Sequence, residues 1–126
     1  MSRVIYSLYI DIPEDDLDFF DKNIIKKDQT PTNINTKNKF SKHYQKIVDN
    51  KKRYSDSIGV DYYLHENDEN FKHYVKYFKT HFPFITMYNI VNFYKLELMN
   101  NHLHDYDEAL YLDFDAIPVT KDNFFE

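Results

Sequence analysis

The chain has 126 residues, of which 42% are hydrophobic and 18% aromatic, a composition typical of one globular domain and not of a disordered segment. Its formal net charge of −5 argues against a general nucleic-acid binder, which presents a basic field. Because there is no cysteine, a disulfide framework, a thiolate metal site and a cysteine nucleophile are excluded. The single glycine, Gly59, excludes the glycine-rich phosphate loops of P-loop and dinucleotide-binding proteins.

The first residues carry no signal-peptide pattern, because Ser7 and Asp11 interrupt the apolar run there. No apolar stretch approaches the roughly 20 residues that a membrane span requires. The lack of cysteine fits a reducing compartment. We therefore expect a cytoplasmic protein with neither a membrane span nor a nucleic-acid partner.

The first half of the chain predicts a strand, a connection and a helix. Val4 to Ile10 is β-branched and aromatic and is apolar on nearly both faces, which is typical of a buried strand in a parallel sheet. Glu14 to Asn38 mixes polar residues with few apolar anchors, which indicates a long connection. A helix capped by Asn38 or Ser41 and terminated by Gly59 is then predicted from apolar residues at helical spacing, namely Phe40, Tyr44, Ile47, Val48 and Tyr54.

The second half predicts two further strands and two further helices. Val60 to Leu64 is a short strand, and Glu66 to Asn70 is a turn that begins the second helix. Thr86 is expected to cap a third helix, and this helix is expected to end near Asn100. Ala109 to Leu112 is the last strand.

The predicted order is strand, helix, strand, helix, helix, strand. Such alternation predicts an α/β fold, with a Rossmann-like parallel β-sheet, right-handed crossovers and covering helices. In these sheets ligands bind beyond the carboxyl ends of the strands. Those ends fall at residues 9–11, 64–66 and 113–115, so a ligand site is expected there.

The motif that is most informative about chemistry follows the last strand. Asp113 and Asp115 are separated by Phe114. In an extended segment the two carboxylates would share a face, with Cα atoms about 6.6 Å apart, while Phe114 would point into the core. Without a cation the pair repels itself, and with one it forms a site for a hard divalent metal ion and the phosphates that accompany it.

The stretch from Tyr106 to Thr120, centred on the sequence Tyr111-Leu112-Asp113-Phe114-Asp115, resembles the DxD region of metal-dependent nucleotide-sugar glycosyltransferases with the glycosyltransferase-A fold. The segment Val4 to Tyr9 resembles the first, nucleotide-contacting strand of these enzymes. The nearest similarity is to the glycosyltransferases of large DNA viruses and phages. The resemblance implies the donor-binding half of such a domain, and a virus-encoded protein that acts in the host cytoplasm.

The resemblance also implies roles for four residues. Asp113 would contact the ribose and the metal, and Asp115 would bind Mn²⁺ or Mg²⁺ directly. Ser7 and Tyr9 would lie next to the nucleobase, which in this family is most often uracil. The implied partner is a nucleotide-sugar donor, commonly a UDP-sugar, while the sugar, the acceptor and the catalytic residues stay open.

Complete domains of this family continue for roughly another hundred residues, which carry the acceptor site and the catalytic groups. We therefore expect residues 1–126 to be a single, truncated nucleotide-sugar-binding domain. On this expectation the chain does not transfer sugar by itself.

Two other functions remain open from the residues alone. In a haloacid-dehalogenase-like phosphatase, Asp113 would attack phosphate and Asp115 would protonate the leaving group, although that motif normally opens its domain and here it comes last. A non-catalytic nucleotide-binding or interaction module is the other alternative.

Three polar residues near the motif are expected to have ordinary surface roles. His102 and His104 form an H-x-H pattern, but they follow a helix and are expected to face solvent. Lys95 could reach a diphosphate, yet a surface lysine on an amphipathic helix is the favoured interpretation.

Overall fold

The computed structural model describes residues 1–22, 42–120 and 122–126. Within them, one parallel sheet has the order β2-β1-β3, with β1 at Arg3–Tyr9, β2 at Asp61–Glu66 and β3 at Glu108–Tyr111. The long helices that cover this sheet are α1 (Tyr44–Ser57), α2 (Glu69–His81) and α3 (Met87–Asp105). A short 3₁₀ turn at Glu14–Asp16 follows β1. The protein is therefore a small α/β arrangement, which confirms the predicted alternation.

The predicted strands are all present, and their ends differ by one or two residues. The predicted end of the third helix near Asn100 is wrong, because α3 continues to Asp105 and the amide of Tyr106 still donates to His102 O over 2.8 Å. The extra turn is held by tertiary packing of His102 that the local sequence does not reveal. The predicted caps Asn38 and Ser41, and most of the predicted connection, lie outside the described residues.

Strand β1 is the centre of the fold, because it is paired on both sides and covered on both faces. Tyr6 and Leu8 belong to the core under α2 and α3, whereas Ile5 packs with Tyr54 of α1 and with Val60. Burial on both faces explains why this strand reads as a continuous apolar run. The sheet is thus the middle layer of three, with α1 on one side and α2 and α3 on the other.

Backbone capping fixes the ends of the helices as the sequence indicated. Gly59 has a φ of 69° after α1, and the amides of Gly59 and Val60 donate to Asp56 O and Ser55 O, which is the Schellman arrangement. At the start of α3, Thr86 Oγ1 accepts from the amide of Asn89 over 3.3 Å. Local signals therefore set where these two helices begin and end.

A partly buried ion-pair network, in which Asp21 is the buried member, ties the segment after the 3₁₀ turn to α2 and α3. Lys79 Nζ lies 2.6 Å from Asp18 Oδ2 and 3.1 Å from Asp21 Oδ2, and it donates to Ile85 O over 2.7 Å. The other oxygen of Asp21 accepts from the amide of Met87 over 2.6 Å. Burial opposes ionisation of Asp18, but its bonds to Lys79 and Asp21 outweigh burial and lower the pKa of Asp18 below its usual range. The network serves the fold and lies apart from the aspartate motif.

Candidate functional site

The strand order defines one edge of the sheet as the natural place for a ligand. The chain passes from β1 to β2 on one side of the sheet and then returns to β3 on the other side of β1. In open α/β sheets ligands bind outside the carboxyl ends of the strands where the order reverses in this way. The reversal falls between β1 and β3, and β3 leads directly into Asp113 and Asp115.

The two aspartates lie in a β-turn, so the prediction of an extended pair is wrong. Regular pairing of β3 ends at Tyr111, and the amide of Ala116 donates to Asp113 O over 2.9 Å. Asp113 and Asp115 are therefore the first and third residues of a four-residue turn, and aspartate is favoured at the first position. The chain turns because Phe114 packs into the core beside α1.

Phe114 anchors this turn, and its predicted inward direction is confirmed. Its side chain is 7% exposed and packs against Ile47 and Val48 of α1. Its ring centroid also lies 4.6 Å from that of Tyr9 and 5.7 Å from that of Tyr44. The apolar residue of the motif thus fixes the backbone that carries both aspartates.

Asp113 and Asp115 are both exposed, with the Asp113 side chain at 65%. Exposed carboxylates supply the hard oxygen ligands that Mg²⁺ and Mn²⁺ accept. Among residues 1–22, 42–120 and 122–126, no three histidine, aspartate or glutamate side chains form a metal-binding group. Mg²⁺ is commonly bound through one or two carboxylates, with water completing its coordination.

Lys51 lies beneath the turn and was not identified from the sequence. Its side chain is 0% exposed, its ammonium donates to Phe114 O, and it lies 5.3 Å from the Phe114 ring centroid. Burial lowers the pKa of Lys51 to about 8, and the charges of Asp115 and Asp113 oppose that shift. The only sequence signal was position, because Lys51 continues the buried stripe of α1 that contains Ile47 and Tyr54.

A second lysine approaches the motif from the other helical layer. Lys95 Nζ on α3 lies 3.9 Å from Asp113 Oδ1 and 5.1 Å from the ring centroid of Tyr111. The backbone of Lys95 is held in turn, because the Tyr6 hydroxyl donates to Lys95 O over 2.8 Å. Burial and the Asp113 carboxylate raise the pKa of Tyr111. Lys95 is 29% exposed, so it is a partly exposed lysine of α3 that lies beside Asp113.

The two residues predicted to contact the base lie in different environments. Ser7 is 0% exposed in the middle of β1, so its side chain does not reach the surface of the sheet edge. Tyr9 ends β1, is half-buried and packs on Tyr44 and Phe114, with its ring centroid 5.0 Å from that of Tyr44. The structure brings Tyr9 to the aspartate turn and keeps Ser7 in the interior.

A cavity of about 450 Å³ lies beside the start of α2 and is lined by residues that follow β1 and β2. It has mixed polar and apolar walls, and none of the predicted site residues lines it. The lining residues are Ile12, Asp16, Asn67, Phe71, Lys72, Val75 and Met87.

A histidine pair joins β2 to the last turn of α3. The Nε2 atoms of His65 and His102 are 2.9 Å apart, and the ring centroid of Tyr6 lies 4.9 Å from that of His102. The expectation that His102 faces solvent is wrong, whereas His104 is exposed as expected. Burial lowers the pKa of both His65 and His102, and the charge of His102 lowers that of His65 further.

This pair should make stability depend on pH. Since both folded-state pKa values lie below the ordinary 6.5, the unfolded chain binds protons first as the pH falls. The stabilisation is complete above that value and is lost as the pH falls towards the folded-state pKa values. We expect urea unfolding to show a larger drop in stability between about pH 7.5 and about pH 5 for the native chain than for His102→Gln. His104→Gln should keep the native drop, and an undiminished drop in His102→Gln would contradict the assignment.

Comparison of the chain with models of protein families, with curated proteins and with solved structures gives no match. Among the described residues, no helix combines the length and the apolar character needed to cross a bilayer.

Proposed function

We propose that this chain binds a nucleoside-diphosphate sugar, in the simplest case a UDP-sugar, through a divalent metal ion held by Asp113 and Asp115. The observation that carries the proposal is the position of these exposed carboxylates. They follow a strand of a parallel sheet directly, at the edge where the strand order reverses. The similarity of residues 106–120 to the DxD region of glycosyltransferases of the A fold points to the same ligand.

The chemistry of the surrounding residues supports a diphosphate ligand. Mg²⁺ or Mn²⁺, when bound, would neutralise the charge of the diphosphate leaving group. Lys95 adds a positive charge within 3.9 Å of Asp113 on the α3 side. Tyr9 offers an aromatic ring at the end of β1, next to Phe114, where a base or ribose can pack. The role proposed for this part of the chain is donor binding, and the groups that perform transfer are not assigned to it.

Calorimetric titration with UDP, in Mn²⁺ and then in EDTA, tests the proposal. We expect binding in Mn²⁺ that EDTA abolishes, because the ion joins the carboxylates to the diphosphate. Asp115→Ala should weaken the metal-dependent affinity by about tenfold or more, which corresponds to about 1.4 kcal/mol. Asp56→Ala, which removes an exposed carboxylate of α1, is the matched control and should bind like the native chain.

Two results would contradict the proposal. UDP binding that does not change when EDTA is added would show that no metal ion takes part in it. Unchanged metal-dependent binding in Asp115→Ala would show that the binding site is not at the turn. Hydrolysis of an aryl phosphate that is lost in Asp113→Asn would favour the phosphatase alternative instead.

A further inference from the structure

Lys51 is unusual because a lysine side chain is almost never fully buried without a partner. Here the ammonium is 0% exposed, and its carbonyl partner belongs to Phe114, the residue between the two aspartates. A buried charge in this position is costly unless the surrounding groups compensate it. The hydrogen bond to Phe114 O and the negative charges of Asp115 and Asp113 favour the protonated ammonium, and they partly offset the effect of burial, which lowers the pKa of Lys51 to about 8.

The same face of α1 also holds the chain that follows the motif. Asn50 Nδ2 donates to Pro118 O over 3.5 Å, and the Tyr54 hydroxyl donates to Asp122 O over 2.6 Å. Of these contacts, that of Lys51 is the one within the turn itself. Hydrogen bonds from α1 thus hold the segment after β3 in place, and the bond from Lys51 holds the part that contains the aspartates.

The two aspartates of the turn are accompanied by two lysines. Asp113 and Asp115 contribute two negative charges, while Lys51 beneath them and Lys95 beside them contribute two positive charges. A divalent ion alone would therefore meet two ammonium groups whose repulsion opposes its attraction to the carboxylates. A diphosphate that arrives with the ion brings compensating negative charge.

We propose that Lys51 is the positioning residue of the Asp113–Asp115 turn and its built-in counter-charge, so that the turn accepts a divalent ion together with a diphosphate in preference to the ion alone. The inference rests on the proposed metal–diphosphate site and adds the residue that sets its selectivity. A purely structural lysine would hold the turn but would not couple the binding of the ion to that of the nucleotide.

The test compares the Mn²⁺ affinity of the native chain and its variants at neutral pH, with and without saturating UDP. The ratio of the two affinities measures the coupling between metal and nucleotide. We expect Lys51→Met to lower this ratio by about tenfold or more, because the buried charge is gone. Lys51→Gln keeps an N–H donor without the charge, on a side chain one atom shorter, and should lower the ratio in the same way. Lys52→Met removes an exposed lysine from the same helix and should leave the ratio unchanged.

The outcomes separate this inference from the proposed function. If the native chain shows no metal-dependent UDP binding, the site itself is refuted. If the native chain binds UDP with Mn²⁺ but Lys51→Gln keeps the native ratio, the role of Lys51 is refuted and the site stands. Equal losses of both affinities in Lys51→Met and Lys51→Gln would also leave the ratio unchanged, and would reduce Lys51 to a structural anchor. Thermal unfolding of each variant shows that the folded protein was titrated.

Discussion

Replacing Lys79 with methionine is expected to lower the free energy of unfolding by about 3–5 kcal/mol, the cost of leaving a buried charge without its partner. Asp21 would remain 2% exposed with Asp18 beside it and no cation between them. The carboxylates of Asp18 and Asp21 would then repel each other beside the start of α3. Urea unfolding at neutral pH measures the effect.

Lys72→Met is the matched control for this prediction, because Lys72 is an exposed lysine of the same helix that lies 3.6 Å from Glu69. Its loss should change stability by less than about 0.5 kcal/mol, as exposed pairs one turn apart contribute little. The double variant Lys79→Met with Asp21→Asn should recover part of the loss, because the buried charge is removed together with its partner. If Lys79→Met were as mild as Lys72→Met, the network would be marginal to the fold.

Replacing Phe114 with alanine is expected to cost about 3–5 kcal/mol of stability and to weaken metal-dependent UDP binding as well. The side chain is 7% exposed and fills the space between α1, which includes Tyr44, and the aromatic ring of Tyr9. A cavity there would release the turn that presents Asp113 and Asp115. Denaturant unfolding gives the first effect, and calorimetry at a temperature where the variant is folded gives the second.

Phe84→Ala supplies the control, because Phe84 is an exposed aromatic residue near the start of α3. It should change stability by less than about 0.5 kcal/mol and leave binding unaffected. Phe114→Leu should lose less stability than Phe114→Ala, since most of the buried volume is retained. Native UDP affinity in a folded Phe114→Ala variant would show that the turn does not depend on its anchor.

Much of the fold was predictable because its signals are local. The continuous apolar run of β1, the cap at Thr86 and the left-handed position at Gly59 each depend on a few neighbouring residues. The alternation of strands and helices then gave the parallel sheet. The inward direction of Phe114 was predicted from the alternation of side chains along an extended strand, and it is confirmed although the segment is a turn.

The features that the sequence did not reveal depend on contacts between distant segments. The aspartates lie in a turn that Phe114 anchors against α1, and the contact of Phe114 with α1 is not specified by any local pattern. The pairing of His65 with His102 joins residues 37 positions apart, and it accompanies the longer course of α3. Lys51 continues the apolar stripe of α1, but no neighbouring residue indicates that its ammonium contacts Phe114 O.

Locating a paramagnetic ion on the folded protein tests most directly whether Asp113 and Asp115 bind a metal ion. Amide NMR spectra of isotope-labelled chain would be recorded with UDP while Mn²⁺ is added in small amounts. We expect line broadening centred on residues Leu112 to Ala116, which is lost in Asp115→Ala. Broadening centred on the histidine pair of His65 and His102, or no localised broadening at all, would contradict it.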